Sequence, residues 1–192
     1  MMFTKISLAV TFALAASALP QPLQSSTTSS ATATSSSSSA SASSSSSTSG
    51  GGSVSIVNNM NSTVYLWSTA TDTGSSSMQS LSSGGGSYSE NWQKTSDGGV
   101  SIKLSTTQDE SSVLQFEYTS DGETLYWDLS SINLDKDSAF VTAGFSATPS
   151  DSSCSSVTCS AGDSDCSASY QQPDDTDTNS CTTSSGITLT LG

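Results

Sequence analysis

The chain has no histidine and no arginine, and its four lysines stand against 17 acids. Without histidine there is no Ser-His-Asp or Cys-His catalytic set and no imidazole-based zinc site. Without a basic stripe there is no nucleic-acid partner, and anionic lipid surfaces repel the chain. Long apolar runs are also scarce. Ile6–Ala15 is too short to span a bilayer, and no second stretch follows it, so no membrane span is expected. Convincing runs of helix formers are missing throughout. Cysteine is missing from the first 153 residues. No cofactor motif is present.

The residues that are present describe a secreted protein. Lys5, the apolar run Ile6–Ala15 and the small-residue signal Ala16-Ser17-Ala18 read as a signal peptide over 1–18. The C-terminal Ile187–Gly192 alternates like a strand and is not a lipid-anchor tail. With Lys5 removed, three lysines face 17 acids, a net charge of −14 that favours solubility outside the cell. From Ser25 to Ser49 every residue is Ser, Thr or Ala, so residues 19–52 are expected to form a disordered stalk, O-glycosylated in a secreted protein. If glycans keep the Ser25–Ser49 tract extended, roughly 3 Å per residue gives it a reach on the order of 75 Å.

Residues 53–192 read as one all-β domain, an antiparallel β-sandwich with a disulfide-stapled loop region. Period-two alternation marks strands at Val54–Asn58, Thr63–Ser68, Tyr88–Gln93, Val100–Ser105, Val113–Thr119, Thr124–Ser130, Ala139–Ala147 and Ile187–Leu191. Asp121-Gly122 reads as a two-residue hairpin turn. That turn sets Tyr118 opposite Leu125 and Phe116 opposite Trp127 on the core face. Gln115, Glu117, Tyr126 and Asp128 then share the other face, with Glu117 and Asp128 as diagonal neighbours roughly 7–8 Å apart. Such an open face is expected to raise a carboxyl pKa little.

Cys154, Cys159, Cys166 and Cys181 allow three disulfide pairings. The nested one, Cys154–Cys181 outside Cys159–Cys166, closes a short inner loop and ties the acidic loop to the sandwich. Asp163–Asp177 is rich in oxygen donors but lacks the spacing and terminal Glu of an EF-hand, so no metal is assigned. Asn61-Ser62-Thr63 is an N-glycosylation acceptor between two strands. Trp127 alternates with Leu125 and Leu129 and reads as core. Trp67 and Tyr65 share the face opposite Val64 and Leu66, where core packing again accounts for them better than sugar stacking.

The segments also carry a resemblance. VSIVNNMNSTVYLWS (54–68) resembles the first hairpin of thaumatin-like proteins, and LQFEYTS with LYWDLSSINL resembles their central strands. Cys154-x4-Cys159 followed by Cys166 resembles their cysteine-rich region. SYSENW, GGVSIKLS, TPSDSSCSSVTC and YQQPDD are similar to a small fungal branch, the Blastomyces yeast-phase-specific or antigenic thaumatin-like secreted proteins. The resemblance implies a thaumatin-like sandwich, a fungal source and an extracellular or cell-wall location. It also implies a departure: the family's bridge from the first hairpin to the chain end is missing here, at Met60 and Gly192. Pairing of Ile187–Leu191 with Val54–Asn58 must then hold the terminus. Plant members carry an acidic cleft linked to glucan binding and sometimes weak hydrolysis. Glu117 and Asp128 resemble two of its acids, while its arginine has no counterpart.

These features imply a non-enzymatic protein binding cell-wall polysaccharide or a host extracellular macromolecule, with Glu117, Tyr126 and Asp128 as glycan-binding candidates. Two alternatives stand beside it. One is a weak β-1,3-glucanase using Glu117 and Asp128, which suits a carboxyl pair about 5–9 Å apart. The other is a secreted antigen or effector that binds a protein receptor.

Overall fold

Alternation of apolar with Ser and Thr side chains builds two facing sheets in the computed structural model, which describes residues 52–192. The expected signal peptide and nearly all of the expected stalk lie outside the described residues. One sheet holds β1 (Ser53–Asn58), β5 (Gly86–Asn91), β9 (Phe145–Pro149), β10 (Val157–Cys159) and β12 (Ile187–Leu191), in the order β10-β9-β12-β1-β5. The other holds β2 (Val64–Ala70), β3 (Gly74–Ser75), β4 (Gln79–Leu81), β6 (Val100–Ser105), β7 (Leu114–Asp121), β8 (Thr124–Ser130) and β11 (Asn179–Thr182). Its order is β11-β8-β7-β6-β2-β3, with β4 beside β2.

The inner faces interdigitate as a sandwich core. Val54, Ile56, Leu189 and Ala147 come from one sheet; Leu66, Ile102, Phe116 and Trp127 come from the other, and all are buried. Phe116 stacks on Trp127 at 5.9 Å between ring centroids. Buried Asn58 organises the β1–β2 connection, its amide donating to the carbonyls of Ser62, Leu81 and Ser82.

All named strand pairs are antiparallel except β1 with β12, which run parallel from Val54↔Ile187 to Asn58↔Leu191. The first and last strands thus lie side by side inside the five-stranded sheet. The last strand is held to the first by this ladder, and neither described disulfide joins them. Met60 and Gly192 are neighbours: a Cβ on Gly192 would lie 3.2 Å from Met60 Cγ.

Two sequence expectations are corrected. Ala139–Ala147 is not one strand; it divides into α1 (Ala139–Ala143) and the start of β9. Ser138 caps the helix by accepting from the Val141 amide, and Gly144 ends it at φ 79°. A short helix with two buried residues carries too little periodicity to announce itself.

The second correction is the β7–β8 register. Asp121 pairs with Thr124, so the two loop residues are Gly122 and Glu123. A type I′ turn over Asp121-Gly122 would need positive φ at both, whereas Gly122 alone has it, at 60°. Glycine at the first central position is the type II′ arrangement. Tyr118 therefore faces Trp127, Phe116 faces Leu129, and Glu117 faces Asp128 directly. Each side chain keeps its expected face, because the partner moves by two residues.

The disulfides are nested, Cys154–Cys181 and Cys159–Cys166, and no described cysteine is free. The outer bridge links β11, at one edge of the seven-stranded sheet, to the loop before β10, at one edge of the five-stranded sheet.

Candidate functional site: an acidic groove on the outer sheet face

Strand register carries one row of side chains across four strands: Thr69 (β2), Ser101 (β6), Glu117 (β7) and Asp128 (β8). These are outward positions, since their neighbours Ser68, Ile102, Phe116 and Trp127 are buried between the sheets. A second row adds Thr119 opposite Tyr126. Together they line a groove of about 510 Å³, which Thr178 and Gly99 also border. The size is that of a small-molecule site. Gly99 is required by close approach, because a Cβ there would lie 2.5 Å from Thr119 Oγ1. The Thr71 hydroxyl fixes this corner, donating to the Gly99 carbonyl at 2.8 Å and accepting its amide at 3.0 Å.

Glu117 and Asp128 are half-buried, and Tyr126 is 45% exposed. Directly opposite residues in an antiparallel pair have α-carbons about 4.5–5.5 Å apart, closer than the diagonal arrangement expected from sequence. Burial first, and the facing Glu117 second, push the Asp128 carboxyl up to about 7. The expectation that this face would leave a carboxyl little changed is thus corrected: the groove walls remove enough water to disfavour a second negative charge. No lysine lines the groove. Lys103, on the same face of β6, is engaged by Glu110 at 2.6 Å.

The pair has a consequence for stability. The folded pKa of Asp128 lies above the unfolded value of about 3.9, so the folded state holds the proton more tightly. This contribution is fully present below about pH 4 and is lost as pH rises through about 7. Asp128→Asn is expected to match the parent at pH 4 and to exceed it at pH 8 by on the order of 1–2 kcal/mol, after screening by solvent over the groove. Thermal melts of both proteins across that range provide the check, and equal melting at pH 8 would refute it.

The other sequence candidates lie elsewhere. Asn61 is exposed in the turn between β1 and β2. Trp67 is 9% exposed and offers no free stacking face. In the acidic loop, Asp175 accepts the amides of Gln171 and Gln172, and Asp163 accepts that of Asp165, so these carboxylates shape turns. Among the described residues no group of three or more His, Cys, Asp or Glu converges on a metal-sized site. Also among them, no helix is long and apolar enough to cross a membrane. Sequence reasoning missed the hydroxyl lining of Thr69, Ser101, Thr119 and Thr178. Alternation in GGVSIKLS and LQFEYTS places Ser101 and Thr119 on the Glu117 face, but only the strand order makes them one wall.

Residues 41–192 match the family model described as Blastomyces yeast-phase-specific protein. The secreted thaumatin-like protein calA of Emericella nidulans is 47% identical over 140 residues, covering 72% of this chain and 80% of that protein. The antigenic thaumatin-like protein of Arthroderma benhamiae is 36% identical over 141 residues, covering 72% of this chain and 70% of that protein. Among solved structures, the protein elicitor MoHrip2 from Magnaporthe oryzae matches with a TM-score of 0.62 at 24% identity, covering 73% of this chain and 98% of its own. That last likeness is one of fold.

Proposed function

Because the chain belongs to the Blastomyces yeast-phase-specific family of secreted, thaumatin-like fungal proteins, we propose that it is a non-enzymatic binding protein whose groove holds a neutral cell-wall glycan. The observation that carries this reading is the facing Glu117–Asp128 pair beside the exposed Tyr126 ring, in a groove walled by hydroxyls. Paired carboxyls accept hydrogen bonds from sugar hydroxyls, and an exposed aromatic ring stacks on a sugar face. A −14 mature chain, with no cation in the groove, disfavours anionic ligands. Residues 19–52 would hold the domain away from its attachment, and Asn61 would carry an N-glycan clear of the groove.

Hydrolysis is less well supported. A glycosidase places its two carboxyls on either side of the scissile bond. Here both project from facing positions of neighbouring strands toward the same side of one sheet. A protein receptor remains the second reading, favoured by the relative named as antigenic.

Sedimentation of the secreted protein with insoluble β-1,3-glucan and with chitin tests the proposal. Retention is expected on at least one, and Tyr126→Ala is expected to weaken it about tenfold, the loss of one stacking contact. Retention on neither polysaccharide would refute glycan binding and favour the receptor reading. Release of reducing sugar from laminarin, lost in Glu117→Gln, would establish the glucanase instead.

A further inference from the structure

On the opposite face of β2 lies a second polar cleft. Val54 is fully buried, and its β5 partner is Glu90, so a carboxylate points toward the interior at the edge of the sandwich. A carboxylate in such a place is costly unless donors meet it. Three do: the Tyr88 hydroxyl at 2.6 Å, the Tyr118 hydroxyl at 2.8 Å and the Gln93 amide at 3.2 Å. Burial pushes both phenols up, and Glu90 adds to this, so they stay protonated as donors.

This cluster does not end in packed core. It borders a cleft of about 370 Å³ between β5 and the β2–β3 hairpin, walled by Ser68, Thr73, Ser76 and the half-buried Tyr88. A carboxylate has about four acceptor positions, and three are used, so one remains for a ligand. The Gln93 amide reaches Ser68 Oγ only at 3.5 Å, which leaves a donor weakly engaged. An acceptor beside a weakly held donor, with hydroxyls around them, matches the adjacent hydroxyls of a sugar ring. No cation lines the cleft, so an anion has nothing to offset its charge against Glu90.

The geometry points to a second binding site at this seam, centred on Glu90 and Gln93, that takes a single unit of a neutral, hydroxyl-rich ligand of the sugar class. β2 separates the site from the outer groove: Thr69 borders the groove while Ser68 and Ala70 border the cleft, and Tyr118 borders the groove while its hydroxyl reaches Glu90.

The test is nuclear magnetic resonance titration of the isotope-labelled full secreted chain with glucose, mannose and N-acetylglucosamine, with glucuronate as the anionic control. At least one neutral sugar is expected to shift the Gln93 side-chain amide saturably, with a dissociation constant of about 1–10 mM. Glucuronate and Glu90→Gln are each expected to weaken binding about tenfold, the loss of a charge-assisted contact. Thr73→Trp, at an exposed rim position, fills the cleft without touching the core and is expected to abolish binding. Asp128→Asn is expected to leave it unchanged. The inference is overturned if no neutral sugar shifts Gln93 at ~50 mM, well above the expected constant. It is equally overturned if Asp128→Asn removes the shift while Glu90→Gln and Thr73→Trp retain it, an outcome that leaves glycan binding in the outer groove intact.

Discussion

Replacing Cys154 and Cys181 together by alanine is expected to lower the unfolding free energy by about 3–4 kcal/mol, the chain-entropy value for a loop of this length. The two cysteines are 27 residues apart in sequence, and their bridge joins the edges of the two sheets. Cys159 and Cys166 are 7 apart, and removing their bridge is expected to lower it by only about 2.5 kcal/mol. The outer bridge also has a local role. Cys181 lies in β11, which pairs with Tyr126 and Trp127 of β8, and Thr178, just before β11, borders the groove. Without the bridge, β11 loses its covalent tie and keeps one short ladder with β8, so its amides should lose hydrogen-exchange protection before the core does. Urea titration of the two double variants measures the difference. An equal loss from both would mean that the longer loop closed by the outer bridge contributes no more than the short inner one, against the chain-entropy expectation.

Adding a bridge between the first hairpin and the last strand is expected to act in the opposite direction. The Met60→Cys, Gly192→Cys double variant should form a disulfide and stabilise the domain by about 2–4 kcal/mol. The positions are close enough: a Cβ at 192 would meet Met60 N at 3.3 Å and Met60 Cγ at 3.2 Å. Closure of a loop on the order of 100 residues corresponds to about 4.7 kcal/mol in the chain-entropy model. Gly192 sits at φ 85°, which costs a side chain about 1–2 kcal/mol and reduces the gain. The gain should vanish under reducing conditions, and each single variant should show none. A double variant that oxidises fully without a higher urea midpoint would show that strain at position 192 offsets the whole loop-closure gain.

The acids of the groove show why a sequence gives faces more readily than distances. In a strand, side-chain direction has period two. The alternation Phe116, Tyr118 and Leu125, Trp127, Leu129 therefore assigned Glu117, Tyr126 and Asp128 to one outward face under any register that keeps the core buried. The partner of Glu117 depended on φ at Asp121 and Gly122, a choice between two turn types that the same letters permit. That one-residue shift in the turn turned a diagonal pair into a facing pair, and proximity with burial raised Asp128.

Composition alone excluded histidine-based catalysis by these residues, because a missing side-chain type cannot be supplied by folding, and four lysines against 17 acids leave no basic stripe. The apolar alternation of β1, β6, β7, β8 and β12 was likewise legible, since burial of one face sets it strand by strand. Tertiary structure decided the rest. The parallel pairing of β1 with β12, the hydroxyl wall drawn from β2, β6 and β7, and the convergence of Tyr88, Glu90, Gln93 and Tyr118 all join residues distant in the chain. Local preference acts over a few residues, whereas strand order and the closing of one sheet over the other depend on the packing of the whole core.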